Sequence, residues 1–203
     1  MLILEKPYVS EFLIDTIVQN DWPVLDNDAI QETDIEEGAI DTIPCDIAKN
    51  YYIAQEFPLI YSNSELAQNW VLKNLPDSNL SNYIKLFKDK IAFRDLLKEL
   101  YPDFYYRSAE LEELKKMKPE EIRFPVVVKP ASGFYNIGVH CIKEAKEWSD
   151  TISKLEKEIR QAAITYPGQA LSTSKFIIEE FIAGEEYSVD AYFDRDGEPV
   201  ILN

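Results

Sequence analysis

The chain holds a single histidine, two cysteines and six glycines in 203 residues, and each shortage removes a class of chemistry. With His140 alone, no Ser-His-Asp set can assemble, and His140 reads as a structural residue on a strand between Val139 and Cys141. Clusters of His and Cys at metal-ligand spacing are likewise missing. Cys45 and Cys141 lie far apart and form no C-x-x-C pair, so they read as two reduced thiols in a cytoplasmic protein. The opening MLILE is too short for a signal peptide and has no basic flank, and nowhere does the chain reach the roughly 20 apolar residues of a membrane span. Cations are scarce: 21 Lys and Arg face 37 Asp and Glu, a formal net charge of −16. Such a field repels phosphate backbones and anionic bilayers, so neither nucleic acid nor membrane is an expected partner. A nucleotide stays admissible, because its pocket needs only a few well-placed cations. No Walker lysine loop, kinase signature or G-x-G-x-x-G fingerprint is present.

What remains is a core-forming composition, 46% hydrophobic and 12% aromatic, in a length that suits one domain or two small ones. Residues 1–5 read as a short buried strand. Val9, Phe12, Leu13 and Ile17 then recur at helical spacing, and Pro23-Val24-Leu25 reads as a second strand. This β-α-β opening is the mark of a parallel sheet. Residues 26–46 carry Asp28, Glu32, Asp34, Glu36, Glu37 and Asp41. They lack the alternation, central glycine and closing glutamate of a calcium loop, and read as a solvated acidic surface. Pro58-Leu59-Ile60-Tyr61 reads as a strand, and Ser62, Asn63 and Ser64 offer caps for a helix through Leu66, Trp70, Val71 and Leu75. The turn residues Pro76-Asp77-Ser78-Asn79 mark a boundary. Ile84, Phe87 and Ile91 continue at helical spacing, and Asp89 is placed to cap a fresh helix carrying Lys90, Phe93, Leu96, Leu97 and Leu100.

Residues 101–107 read as extended, and AELEELKKMKPEE reads as a solvent-facing helix of mixed charge. FPVVVK, residues 124–129, is a strand joined by the loop ASGFYNIG to a second strand at residues 139–142. Trp148, Ile152, Leu155 and Ile159 give one amphipathic helix with a single buried stripe, which Pro167-Gly168 ends. KFIIEEFI is a strand, EEYSVDAYFD alternates into another, and Arg195-Asp196-Gly197 turns into a strand at residues 199–202. An open apolar edge at Asn203 reads as a fold with more to follow.

The chemistry-bearing features fall in order between Phe124 and Glu186. Lys129 ends a strand, a loop with Gly133, Asn136 and Gly138 follows, and after a helix a second strand ends in Glu179 and Glu180. Glu186 comes seven residues beyond Glu179. In FPVVVKPASGFYNIGV, IIEEFIAGEEYSVD and the upstream LFKDKIAFRDLL the chain resembles the N-terminal portion of the ATP-grasp superfamily, of the carbamoyl-phosphate-synthase-like or carboxylate-amine ligase type. The resemblance implies an α/β protein with an α+β lid. A Rossmann-like N-terminal domain would span residues 1–80 and a helical connection 81–112. The lid would span 113–182, and a larger ATP-binding sheet would begin at 183–203.

It also implies roles. Lys129 and Lys90 would place cations on the phosphates of ATP, and the glycine loop would approach them with its N–H groups. Asn136 stands where the family usually has Ser or Thr. The backbone at Glu180 and Ile182 would meet the adenine, Glu179 its exocyclic amine, and Glu186 the ribose hydroxyls. Phe181 could instead be plain core, as alternation permits. Asp190 shares Glu186's face and is a weaker candidate. The implied reaction is ATP-dependent ligation through an acyl phosphate, joining a small carboxylate to a nucleophile, with Mg²⁺ on ligands beyond residue 203. The 203 residues are then expected to bind nucleotide without turnover, with a homodimer left open. The alternative is a non-catalytic nucleotide-binding or interaction module.

Overall fold

A computed structural model describes residues 1–6, 9–31, 38–56, 58–62, 67–133, 135–165, 174–194 and 196–202. Asn63 and Ser64, the acidic residues 32–37, Pro167-Gly168, Arg195 and Asn203 lie outside the described residues.

The first half is a doubly wound parallel sheet. Strands β1 (Leu2–Ile3), β2 (Val24–Asp26), β3 (Thr42–Pro44) and β4 (Tyr61–Ser62) stand in the order β3-β2-β1-β4, every pair parallel. Parallel strands are covered on both faces and therefore read as unbroken apolar runs. Leu2 and Leu4 face Ile17 of α1 (Glu11–Gln19), while Ile3 faces Val71 of α4 (Ala67–Asn74) and Ala48 of α3 (Cys45–Ala54). Ser10 caps α1, its Oγ accepting from the Leu13 N–H at 3.2 Å. The acidic connection proves more structured than a solvated surface. It contains the short helix α2 (Asp28–Gln31), strand β3 and the start of α3. Its third strand escaped the sequence reading because Thr-Ile-Pro offers only one buried residue, Ile43, too short a run to show period two.

Two helices lead out of this sheet. Ser78 caps α5 (Asn79–Lys88), and Asp89 both ends α5 and opens α6 (Lys90–Leu97). One Asp89 carboxylate oxygen accepts from the N–H of Ile91 at 2.8 Å and of Ala92 at 3.2 Å, satisfying two donors that a helix start leaves open. That cap is as the sequence predicts.

The second half is an antiparallel sheet in the order β5-β8-β6-β7, built from β5 (Tyr106–Glu110), β6 (Val126–Pro130), β7 (His140–Ile142) and β8 (Lys175–Glu180). β5 lies within the stretch expected to be a helical connection and pairs with β8 along its whole length, Tyr106 opposite Glu179 and Glu110 opposite Lys175. Period two divides the sheet into faces. Val126, Val128, Ile142, Phe176 and Ile178 pack on Trp148, Ile152, Leu155 and Ile159 of α8 (Trp148–Thr165), the stripe the sequence shows. Between β5 and β6, α7 (Leu111–Lys116) is not wholly solvent-facing. Leu114 is fully buried, and its carbonyl accepts from the Trp148 indole at 3.2 Å. His140 meets Glu158 of α8, Nε2 to Oε2, at 2.8 Å, in keeping with a structural role.

Beyond β8 the strand expected over residues 185–194 forms only in part. Residues 181–190 are exposed and without regular structure, and only β9 (Ala191–Phe193) pairs, with β10 (Pro199–Ile201). Their alternation is real, but apart from this hairpin the described residues give them no strand to pair with. Among the described residues no helix is long and apolar enough to cross a membrane.

Two substitutions test the α8 face. Leu155→Ala should lower the unfolding free energy by about 3 kcal/mol, read by chemical denaturation. Gly138 has φ of 71°, and a Cβ there would lie 2.7 Å from Ile159 Cδ1 and 3.0 Å from Leu155 Cδ1. Gly138→Ala should therefore cost about 2 kcal/mol by the same measurement, from backbone and overpacking together.

Candidate functional site

The sheet face turned away from α8 carries Val127 and Lys129 of β6, Ile177 and Glu179 of β8, and Tyr106 of β5. Helix α6 covers part of it, Ile91 packing with Ile177 and Ala131 while Tyr106 closes the cluster. The backbone N–H of Lys90 donates to the Ala131 carbonyl at 2.8 Å, tying the start of α6 to the end of β6. The Tyr106 hydroxyl donates to Asp95 of α6 at 2.6 Å, and this bond, chiefly, raises its pKa above the ordinary phenol value.

On this face Glu179 is 5% exposed. A carboxylate so placed must be neutralised or forfeit several kcal/mol of solvation. It is bracketed by two cations. Lys129 Nζ pairs with Oε1, and Arg94 Nε donates to Oε2 at 2.9 Å. Arg94 is itself fixed, its guanidinium lying 4.1 Å from the centroid of the Phe104 ring. Two cations thus share one buried carboxylate in a chain of net charge −16, and the Asp95 carboxylate of α6 lies on the same face.

Beside it, Lys90, Pro130, Gly133, Tyr135, Asn136, Ile137 and Val139 line a hollow of about 140 Å³. That is below the roughly 300 Å³ of a complete small-molecule pocket and suits one end of a ligand rather than the whole. The loop reaches this shape through left-handed residues, Tyr135 at φ 51°, Asn136 at 56° and Gly138 at 71°. The Val139 N–H closes the turn on the Asn136 carbonyl at 3.2 Å. Asparagine tolerates that conformation and tyrosine rarely adopts it.

The sequence-predicted residues thus fall into three groups. Lys129 and Glu179 meet directly, and Lys90, Gly133 and Asn136 share the hollow one residue beyond Lys129. Gly138 and Glu180 also carry structural contacts. The missing side chain of Gly138 makes room for Ile159 and Leu155 of α8. Glu180 bonds the lead-in to β5, its Oε2 accepting from the Tyr105 N–H at 3.1 Å and its own N–H donating to the Tyr105 carbonyl at 2.9 Å. Ile182, Glu186 and Asp190 are exposed on residues 181–190, outside the hollow's lining. Phe181 is half-exposed there rather than a core residue, although its N–H donates to the Pro125 carbonyl at 3.1 Å. Arg94 is the residue the sequence reading left without a role. The available signal was its place four residues after Lys90, one helical turn along the same face. No metal-ligating group of three or more His, Cys, Asp or Glu is gathered among the described residues.

Comparison with known proteins bears on this geometry. Residues 122–203 match the family model of the ATP-grasp domain. No curated protein matches the chain in sequence. Among solved structures, L-amino acid ligase from Bacillus licheniformis superposes with a TM-score of 0.62 at 17% identity, over 99% of this chain and 50% of that one. The biotin carboxylase of Campylobacter jejuni, solved with β-γ-ATP, gives 0.59 at 15% identity over 98% of this chain and 49% of its own. Phosphoribosylamine–glycine ligase from Thermotoga maritima gives 0.55 at 17%, over 99% and 48%. The chain spans about half the length of these structures and shares their fold across nearly all of its own. Residues 122–203, which hold Lys129, the glycine loop and Glu179, are thus the part of the chain that matches the ATP-grasp domain family.

Proposed function

We propose that this chain is the ATP-binding portion of an ATP-dependent ligase that joins a small carboxylate to an amine or related nucleophile. The observation that carries the reading is the Lys129–Glu179–Arg94 cluster beside the hollow under Lys90. It sets two cations on one buried carboxylate in an acidic protein, and Lys129 and Glu179 lie on the segment that matches the ATP-grasp domain. Fixed ammonium groups and backbone donors are what a polyphosphate requires, because its charge must be met by groups that need not reorganise.

In this reading Lys129 and Lys90 hold the phosphates. Gly133 and Asn136 contribute polar atoms at the hollow's rim, and the backbone from Glu180 to Ile182 lies along the base. Glu186 reaches the ribose only if residues 181–190 settle against the sheet. Ligation of this kind forms a bond from a carboxylate oxygen to the γ-phosphorus as the bond to ADP breaks. The nucleophile then attacks the acyl carbon and phosphate leaves. Magnesium bound with the phosphates would offset their charge, and none of the described residues is assigned to it. Nucleotide binding, rather than turnover, is the activity proposed for these 203 residues, which correspond to half the length of the solved ligases. A cytoplasmic location belongs to the same reading, supported by two free, exposed cysteines.

Calorimetric titration with magnesium and ADP tests this. The protein should bind ADP, and Lys129→Ala should weaken binding about ten-fold or more, a loss of ~1.4 kcal/mol per decade. A non-catalytic binding module would bind ADP equally well, and is distinguished by phosphate release from ATP when the intact protein is given amino acids. Absence of any ADP binding, or full affinity in Lys129→Ala, overturns the site assignment.

A further inference from the structure

Lys129 has two claims on it. In the structure its ammonium pairs with Glu179, a carboxylate only 5% exposed. In the nucleotide reading, on which this inference rests, the same ammonium serves a bound phosphate. A closed pair would resist that second use, because drawing Lys129 toward an outside anion would strand a buried charge.

Arg94 removes the conflict. Its Nε holds the other carboxylate oxygen at 2.9 Å. Its side chain is largely buried against the site, and its guanidinium lies against the Phe104 ring. The helix that carries it is pinned at its start by the Asp89 cap and by the bond from Lys90 N–H to the Ala131 carbonyl. Arg94 engages Glu179 and is fixed in that task, whereas Lys129 sits one residue before the hollow's lining. We infer that Arg94 is a positioning residue for nucleotide binding. By keeping Glu179 neutralised, it lets the Lys129 ammonium turn to a bound polyphosphate without exposing a buried charge. The role suits arginine, whose guanidinium stays charged and stacks on an aromatic ring in a way that lysine cannot match.

The test compares ADP binding, with magnesium, in the intact wild-type protein and in Arg94→Gln, Arg94→Lys and the double variant Arg94→Gln/Glu179→Gln. Thermal unfolding midpoints are measured alongside. Arg94→Gln should weaken ADP binding about ten-fold, and Arg94→Lys about three-fold, since charge is kept and the fixed fork lost. The double variant should recover most of the loss, because no buried anion then competes for Lys129. A purely structural role predicts a lower midpoint with unchanged ADP affinity in the folded protein, and no recovery in the double variant. Either result overturns the proposal. Should Arg94→Gln not fold, Arg94→Lys and the double variant carry the comparison with the same criteria. Failure of the wild-type protein to bind ADP is a different outcome, seen before any variant is made. It removes the nucleotide reading and this inference together.

Discussion

A carboxylate sealed against the middle of a β-sheet constrains everything around it. Glu179 stands on the central strand β8, flanked by β5 and β6, where water is excluded and an unpaired charge is costly. Its partners must therefore arrive from different elements and in fixed positions. Lys129 comes from the neighbouring strand, and Arg94 from a helix far upstream in sequence. Placing Arg94 requires α6 to start where it does. Asp89 breaks the path of α5 and caps α6, and the Ala131 carbonyl holds the new helix against the end of β6. The ion cluster and the hydrophobic contact of Ile91 with Ile177 are thus parts of one docking event, with burial supplying adhesion and charge supplying register.

The two faces of this sheet divide the labour. Against α8 it is filled by Val, Ile, Leu, Phe and Trp, and even the loop glycine is shaped to that packing. The other face is partly open and carries Lys129 and Glu179, with Arg94 reaching them from α6. A rigid, densely packed backing is what allows the opposite face to hold charged side chains at fixed separations, since a close-packed interior does not yield to accommodate them.

Much of this was legible in the sequence because the signals were local. The FPVVVK strand, the Asp89 cap and the stripe of Trp148, Ile152, Leu155 and Ile159 each depend on neighbours within a turn or two, and each stands where the pattern puts it. Lys129 and Glu179 were found through order and spacing. That they face each other in an ion pair is a consequence of antiparallel register, which no linear pattern displays. Arg94 was harder still, because its partner lies 85 residues away. The same limit hid other contacts. Gly138 was read for close approach to phosphates, and its packing against α8 could not be seen without knowing where α8 docks. The alternating residues 185–194 looked like a strand and only Ala191–Phe193 pair, because alternation gives the tendency and pairing needs a neighbour.

The acidity of the chain sharpens the case for the cluster rather than weakening it. With 37 acidic and 21 basic side chains, cations placed at random would be outnumbered almost everywhere on the surface. Two of the cations, Lys129 and Arg94, nonetheless converge on the middle of the sheet, where the one buried carboxylate of Glu179 pairs with both, and Lys90 starts the helix that carries Arg94. In bulk water such an excess would be screened within about a Debye length, near 8 Å at physiological salt. Against a low-dielectric sheet it is screened less, and the field it presents to a phosphate group is correspondingly larger.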